Sequence, residues 1–260
     1  MIDLENAKRE FKKYVDTYDS ENPKIARKIA HSYRVIEVAE KIAKSLELPN
    51  EDVQLAKLIA LLHDIGRFEQ LKIYDTFSDK DSIDHADFGV DVLFKDNLIR
   101  KFIKENTFDN IIYKAIKYHN KYKIGDGLNE RELLHAKIIR DADKTDIYRL
   151  YIIDLEKNEN VIFDYDKIAK EKINQKVLDS IKANKLVNSY DVLNGADSYA
   201  RALAFIFDYN FEEGLRIVKQ QHYIEKLINR IRGKENPNNL DEIQNIICTY
   251  IDKRISWFCI

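Results

Sequence analysis

The sequence predicts an all-α fold, and three observations lead to this prediction. The chain has 260 residues but only 7 Gly and 3 Pro, well below the roughly 12% that these two residues make up in ordinary proteins. Apolar residues recur every three or four positions over long stretches, as they do on one face of a helix. Alternating strand patterns are nearly absent. We therefore expect long helices around a hydrophobic core, which a chain of this length can build without disulfides.

The first half of the chain predicts two long helices and a loop. Residues 23–48 begin with Pro23 and then carry apolar residues at helical spacing, which is typical of an amphipathic helix. Residues 51–63 are apolar on nearly all sides after the first turn and predict a central buried helix. We expect Gly66 to end that helix. The polar stretch 67–84 then predicts a loop over a site.

Helical spacing resumes after this loop. One helix is expected at about 83–94, a second is expected to be capped by Thr107, and a third is expected to be capped by Asn129 and to run to about Leu155. Further helices are predicted at 165–185, 195–209, 212–232 and 239–257. We expect a domain with its N-terminal helix over residues 1–155 and a helical C-terminal extension over residues 156–260, packed on that domain as one compact unit.

Composition narrows the setting in which the protein works. The chain has 43 basic and 45 acidic residues, so its overall field favours neither duplex nucleic acid nor an anionic membrane as a partner. Cys248 and Cys259 lack metal-type spacing and do not make a disulfide framework. The N-terminus is charged rather than signal-like, and no apolar run approaches the length of a membrane span, about 18 residues. We therefore expect a soluble, cytoplasmic protein.

Side chains that can bind metal fall at inward positions of several predicted helices. His63 and Asp64 follow an almost unbroken apolar run, where a buried carboxylate needs a cation or several hydrogen bonds. Asp143 shares a helical stripe with Ile139, whereas Asp141 falls on another face. Each residue alone has an ordinary explanation as a hydrogen-bonded core residue. Together they predict a centre with nitrogen and oxygen ligands, and the candidate ligands are His31, His63, Asp64, His85, His119 and Asp143.

The order of these residues resembles that of a known family. His31, the doublet His63-Asp64 and Asp143 resemble the H…HD…D signature of the HD-domain metal-dependent phosphohydrolase superfamily. His85 and His119 match the positions that hold a second metal in its binuclear subgroups. The resemblance covers about residues 22–155 and implies an HD-domain helical bundle with additional C-terminal helices. The chain lacks the Gly-Tyr-Pro motif of the cyclic-di-GMP-cleaving group and is most similar in ligand count to small hydrolases of dinucleoside polyphosphates.

The resemblance implies a metal-dependent hydrolase, a phosphohydrolase or phosphodiesterase that cleaves a nucleotide or related phosphate ester with a metal-activated water. Two divalent transition-metal ions (iron, manganese, zinc or cobalt) are expected, with Asp64 as their bridge. Arg34 and Lys144 are expected to act as catalytic and substrate-binding residues that neutralise phosphate oxygens, and Arg67 to bind a further phosphate. For each of these three cations, a solvated surface charge is the alternative.

Two other functions remain open from the sequence. The same six ligands occur in HD-like mixed-valent diiron oxygenases, which include proteins resembling myo-inositol oxygenase. A ligand sensor without activity ranks last, because its usual mark is the loss of a metal ligand and all six are present. The expected partner is a small phosphorylated molecule, a nucleotide first of all. The apolar run 203–211 is expected to pack on the other helices, to form a homodimer contact or to close one wall of the pocket.

Overall fold

A computed structural model describes residues 2–19, 21–157, 162–233 and 236–255. Helices, turns and loops make up these residues, and no strand occurs among them, which confirms the all-α prediction. The chain divides into two compact units, residues 1–143 and 144–260. The division falls inside a long helix, whereas the sequence analysis placed it after residue 155. The packing of the C-terminal extension on the N-terminal domain stays a prediction.

The first unit carries all the predicted metal ligands. Its helices are α1 (Leu4–Val15), α2 (Pro23–Ser45), α3 (Asn50–Leu62), α4 (Gly66–Tyr74), α5 (His85–Phe94), α6 (Ile99–Phe102), α7 (Asp109–Tyr118) and the start of α8 (Glu130–Lys157). Helix α3 is the centre of this unit. Its residues from 58 to 62 are all buried, and α1, α2 and α7 pack against it. A helix that is apolar on all sides is stable only when its neighbours cover every face.

Gly66 does not end the central helix as predicted. Helix α3 ends at Leu62, a short turn follows, and Gly66 is the first residue of α4. A Cβ atom at Gly66 would lie only 2.6 Å from the backbone nitrogen of Gly89 and 2.6 Å from the carbonyl oxygen of His85. The glycine therefore permits the close contact of α4 with α5. Because α4 continues to Tyr74, the loop is shorter than expected and covers residues 75–84.

Side-chain caps set the start of two helices that carry candidate metal ligands. Asp84 accepts hydrogen bonds from the backbone nitrogens of residues 86 and 87 and so begins α5 at His85. Asn129 accepts from the backbone nitrogen of Glu132, whose carboxylate accepts from the backbone nitrogen of Asn129. This capping box confirms the predicted start of α8. The predicted Thr107 cap was wrong, because α7 begins after Phe108 and has no side-chain cap.

The second unit has its own hydrophobic core. Its further helices are α9 (Tyr165–Ile168), α10 (Gln175–Lys182), α11 (Gly195–Leu203), α12 (Glu212–Gln220), α13 (Tyr223–Ile231) and α14 (Leu240–Arg254). Two predicted helices are each broken into two. Asn174 accepts from the backbone nitrogen of Val177 and starts α10 anew, and His222 adopts a left-handed backbone conformation between α12 and α13. Within the part of the chain that the structure describes, no helix is long and apolar enough to cross a membrane.

Candidate metal centre

The six side chains predicted as metal ligands lie together in the first unit. They form overlapping groups whose ligand atoms lie within 4.8 Å of one another. All six residues are buried. They come from different parts of the unit, at the centre of α2, after the end of α3, at the start of α5, after the end of α7 and along α8. The cluster is His31, His63, Asp64, His85, His119 and Asp143.

Asp64 lies between two pairs of histidines and turns one oxygen to each pair. Its Oδ2 lies 3.6 Å from Nε2 of His31 and 3.7 Å from Nε2 of His63. Its Oδ1 lies 3.5 Å from Nε2 of His85 and 3.7 Å from Nε2 of His119. The two oxygens of one carboxylate therefore face two separate sets of nitrogen atoms.

Asp143 completes the first set. Its Oδ1 lies 3.1 Å from Nε2 of His31 and 3.6 Å from Nε2 of His63. Burial alone would raise the pKa of Asp143, but the neighbouring imidazoles of His31 and His63 hold that pKa well below its usual range. The group is therefore poised as a carboxylate, the form that binds a metal ion.

The histidine rings are oriented by their other nitrogen. Nδ1–H of His63 donates to the carbonyl oxygen of Ala60 over 2.8 Å, and Nδ1–H of His119 donates to the carbonyl oxygen of Ile116 over 2.7 Å. A carbonyl oxygen can only accept, so Nδ1 is the donor and carries a proton in both rings. Their Nε2 atoms consequently direct lone pairs into the cluster, as metal-binding histidines do.

The second set of ligands is spaced as the ligands of one ion. Nε2 of His85 lies 3.0 Å from Nε2 of His119. Two imidazole nitrogens, each about 2.0–2.1 Å from one ion and at about a right angle, would lie about 3 Å apart. Burial lowers the pKa of His85 to about 4 and also lowers the pKa of His119. Both rings are therefore neutral near pH 7 and suited to bind a metal.

Asp64 also contacts a cation that the sequence analysis missed. Nζ of Lys28 donates to Oδ2 of Asp64 over 2.6 Å. Burial would raise the pKa of Asp64, but the positive charge of Lys28 and contacts with the histidines hold it well below its usual range. Lys28 lies three residues before His31 on α2, so helical spacing was a signal that could have identified it.

These residues fit a divalent transition-metal ion. Nε2 of His63 is a buried ring nitrogen with no hydrogen-bond partner among the described residues. A buried polar atom left without a partner is costly unless it has another role, and coordination would satisfy this one. Nitrogen ligands from imidazole and oxygen ligands from carboxylate suit iron, zinc, manganese and cobalt.

Asp79 is a second residue that the sequence analysis missed. It lies in the short 3₁₀ turn of the loop, and its Oδ2 accepts from Nδ1–H of His85 over 2.6 Å. Burial raises the pKa of Asp79, but the hydrogen bond and charge of His85 and the charge of Arg67 lower it overall. A carboxylate behind a histidine fixes its ring and increases its basicity. No spacing rule could identify Asp79, because loop residues have no helical periodicity.

A buried arginine holds the end of α7. NH1 of Arg140 donates to the carbonyl oxygens of Tyr118 and Lys121 over 2.7 and 2.6 Å. These two acceptors lie on either side of His119, so the guanidinium fixes the backbone from which this ligand projects. A cation at the C-terminal end of a helix is also favoured by the helix dipole.

The three predicted phosphate-binding cations have different surroundings. Arg67 is near the cluster, with Nε 3.7 Å from Oδ1 of Asp64 and NH1 2.8 Å from Oδ1 of Asp79. Arg34 is half-buried on α2, one turn after the first ligand. Lys144 is buried, and its Nζ lies 2.9 Å from Oδ2 of Asp208 in the second unit. The roles of all three in binding phosphate stay predictions.

Four other residues of the first unit are buried or half-buried. Asp141 is also fully buried, although it falls on another face of α8 than Asp143. His135 is buried, and its Nε2 lies 2.8 Å from Oδ1 of Asp52. Phe68 packs against Phe11 in the core and does not line a surface. Phe77 is half-buried in the loop.

The helical domain that carries the cluster of histidines and aspartates matches a known protein family. Residues 29–148 match the family model of the HD domain. The chain therefore contains an HD domain, as the resemblance implied. HD domains are largely metal-dependent hydrolases, and the cluster lies within the matched residues. Comparison with curated proteins and with solved structures gave no significant match.

Proposed function

We propose that the protein is a metal-dependent phosphohydrolase that cleaves a nucleotide or related phosphate ester and holds two divalent ions. The observation that carries this proposal is the position of Asp64, whose Oδ1 and Oδ2 face different histidine pairs. A carboxylate that faces two ligand sets is suited to bridge two ions. In this scheme His31, His63, Asp64 and Asp143 would hold the first ion, and Asp64, His85 and His119 would hold the second.

Ions held in this way would supply an activated water as nucleophile and positive charge that stabilises the reacting phosphoryl group. The protein itself supplies the orientation of the histidine rings. Hydrogen bonds from the histidine Nδ1 atoms to Ala60, Ile116 and Asp79 hold the rings in place before substrate arrives. Such preorganisation lowers the reorganisation that the reaction would otherwise require.

Cations near the centre favour an anionic substrate. Lys28 and Arg67 both contact or approach Asp64, and both lie beside the ring of Phe77. Positive charge in a partly buried site attracts phosphate more strongly than the same charge in water. We therefore favour a small phosphorylated partner, with a nucleotide first. A cytoplasmic setting is a separate part of the proposal.

A diiron oxygenase is the second candidate. Four histidine nitrogens and two carboxylates without a thiolate form a donor set that suits iron. The two candidates differ in what they consume, because a hydrolase uses water and an oxygenase uses molecular oxygen.

The test begins with protein that has been stripped of metal and reloaded with Mn²⁺ or Fe²⁺. A panel of nucleotides and phosphate esters is then assayed for phosphate or nucleotide release, with Asp64→Ala as the inactive control. Release that depends on added metal and is lost in the variant would support the hydrolase. The oxygenase would be supported in place of the hydrolase by oxygen uptake and a mixed-valent electron paramagnetic resonance signal without phosphate release.

A further inference from the structure

A cation contacts the carboxylate that is proposed to bridge the two ions. Nζ of Lys28 lies 2.6 Å from Oδ2 of Asp64, whose side chain is only 3% exposed. This oxygen is the one that faces His31 and His63. The ammonium group of Lys28 therefore neutralises Asp64 at the side where the first ion is expected.

A divalent ion and this ammonium group are in competition. An ion held by His31 and His63 would share Oδ2 of Asp64 with Lys28, and the two positive charges would then repel each other strongly in a buried site. Lysine is a flexible residue with a compact charge, and the Lys28 side chain keeps 19% of its surface exposed. It can therefore leave the carboxylate without a change in the helix that carries it.

The ring of Phe77 lies beside the ammonium group of Lys28. Nζ of Lys28 lies 5.6 Å from the centre of the Phe77 ring, a distance at which the ring face attracts a cation. Cζ of Arg67 lies 5.7 Å from the same ring centre. Arg67 is less free to move, because its NH1 donates to Gln70, to the Phe77 carbonyl oxygen and to Asp79. Among the described residues, the side chain of Arg67 is thus held by more hydrogen bonds than that of Lys28.

We propose that Lys28 is a displaceable counter-cation, which leaves Asp64 when the first divalent ion binds and then binds a phosphate oxygen of the substrate beside Phe77. This inference rests on the proposed function, since it assigns the phosphate-binding residue of the same site. It replaces Arg34 and Lys144 by Lys28 as the main phosphate-binding cation of the chain.

The test uses two binding measurements on the full chain with Lys28→Met, a variant that keeps the length of the side chain and removes its charge. The first is the affinity of metal-free protein for Mn²⁺ by calorimetry, which should rise by about tenfold or more because a competing charge is gone. The second is the affinity of Mn²⁺-loaded protein for inorganic phosphate, which should fall about ten- to a hundredfold with the loss of a charge-assisted hydrogen bond.

Lys24→Met is the matched control. Lys24 lies one turn earlier on the same helix, and its Nζ is 3.8 Å from the exposed Asp75 rather than near the cluster. Both affinities should match those of the unaltered protein. Lys28→Arg, which keeps the positive charge, should restore phosphate binding to within a few-fold. If Lys28→Met does not fold without metal, the phosphate measurement is made on protein refolded with Mn²⁺.

The opposite signs of the two changes distinguish this role from a structural one, which would weaken both affinities. Unchanged Mn²⁺ affinity, or unchanged phosphate affinity, in Lys28→Met would overturn the inference. Neither measurement needs turnover. A protein that shows both changes but hydrolyses no phosphate ester would retain the inference on Lys28 and lose the proposed function. A protein that hydrolyses a phosphate ester but shows neither change would retain the proposed function and lose the inference on Lys28.

Discussion

Nδ1–H of His85 donates to Oδ2 of Asp79 over 2.6 Å, while Oδ1 of the same carboxylate lies 2.8 Å from NH1 of Arg67. A ligand of the proposed second ion is thereby connected through a carboxylate to a cation. Asp79 comes from the loop between α4 and α5. The loop that the sequence analysis placed over the site thus supplies a residue that orients a candidate ligand.

Replacing Asp79 should weaken metal binding without removing a ligand. In Asp79→Ala, the ring of His85 loses the acceptor that fixes its orientation, and the affinity for the second ion is expected to fall about 10- to 100-fold. Titration of metal-free protein with Mn²⁺ measures this change. Asp81→Ala is the control, because Asp81 is exposed in the same turn. Equal affinities in the two variants would show that Asp79 does not support His85.

Removing the two aspartates should have different effects on metal content. Asp64→Ala is expected to lose both ions because each set of nitrogen ligands loses its carboxylate oxygen. Asp143→Ala should keep the ion near His85 and His119, so the content should fall from about two ions per chain to about one. Elemental analysis after equilibration with Mn²⁺ measures the content. The same metal content in both variants would argue against Asp64 as a bridge.

The two glycines between α4 and α5 should tolerate alanine differently. At Gly66 the added methyl group would lie 2.6 Å from backbone atoms of Gly89 and His85, so we expect a loss of about 1–3 kcal/mol in the free energy of unfolding. At Gly89 the nearest atom would lie 3.5 Å away, an ordinary contact. Gly89→Ala should therefore change stability by less than about 1 kcal/mol, and the better helix propensity of alanine favours it.

Urea unfolding of both variants measures these changes, and Mn²⁺ titration shows whether the backbone of His85 has moved. Gly66→Ala is expected to lose affinity at the second set of ligands as well as stability. If Gly66→Ala proves as stable as Gly89→Ala, the close contact of the two helices is not required.

The pair formed by Asp52 and His135 should make the first unit sensitive to acid. Burial raises the pKa of Asp52, but the hydrogen bonds and charges of His135 and Arg131 lower it overall. Burial lowers the pKa of His135. A lowered pKa means that the folded state binds a proton less readily than the unfolded state. Stability is therefore highest above the unfolded pKa of histidine, about 6.5, and falls as the pH decreases through the range of both groups.

Asp52→Asn tests this dependence. The variant is expected to be less stable by about 1–2 kcal/mol near pH 7, because a charge-assisted hydrogen bond is lost, and to lose less stability between pH 7 and pH 3. Glu51→Gln is the control, because its exposed carboxylate contacts Arg131 at the surface and such pairs contribute little. Urea midpoints across the pH range measure both variants. If stability changes with pH in the same way in Asp52→Asn and in the unaltered protein, the acid sensitivity does not come from the pair of Asp52 and His135.

Much of the candidate site was predictable because its ligands follow from helix geometry. His63 and Asp64 end an apolar run, and Asp143 lies on the inward stripe of a long helix. In both cases the side chain must point to the interior if the helix is to bury its apolar face. The all-α fold was predictable for the same reason, since apolar spacing and scarce Gly and Pro both favour long helices.

Contacts between distant segments were not predictable from spacing. Lys28 and Asp64 are 36 residues apart, and they meet because α2 packs along α3. Asp79 reaches His85 from a loop, and loops have no periodic pattern that predicts direction. Lys144, although next to Asp143 along the chain, pairs with Asp208, because successive helical residues point about 100° apart.

The sequence by itself determined the all-helical class and the six candidate ligands through residue type and local helical spacing, and the HD domain through a motif order that resembles a known family. Only the tertiary structure decided which oxygen of Asp64 faces which histidines, that Lys28 neutralises it, and that Gly66 is needed for helix contact rather than for a helix end. These features depend on how helices pack in three dimensions, and side-chain packing between distant segments is not encoded in local periodicity.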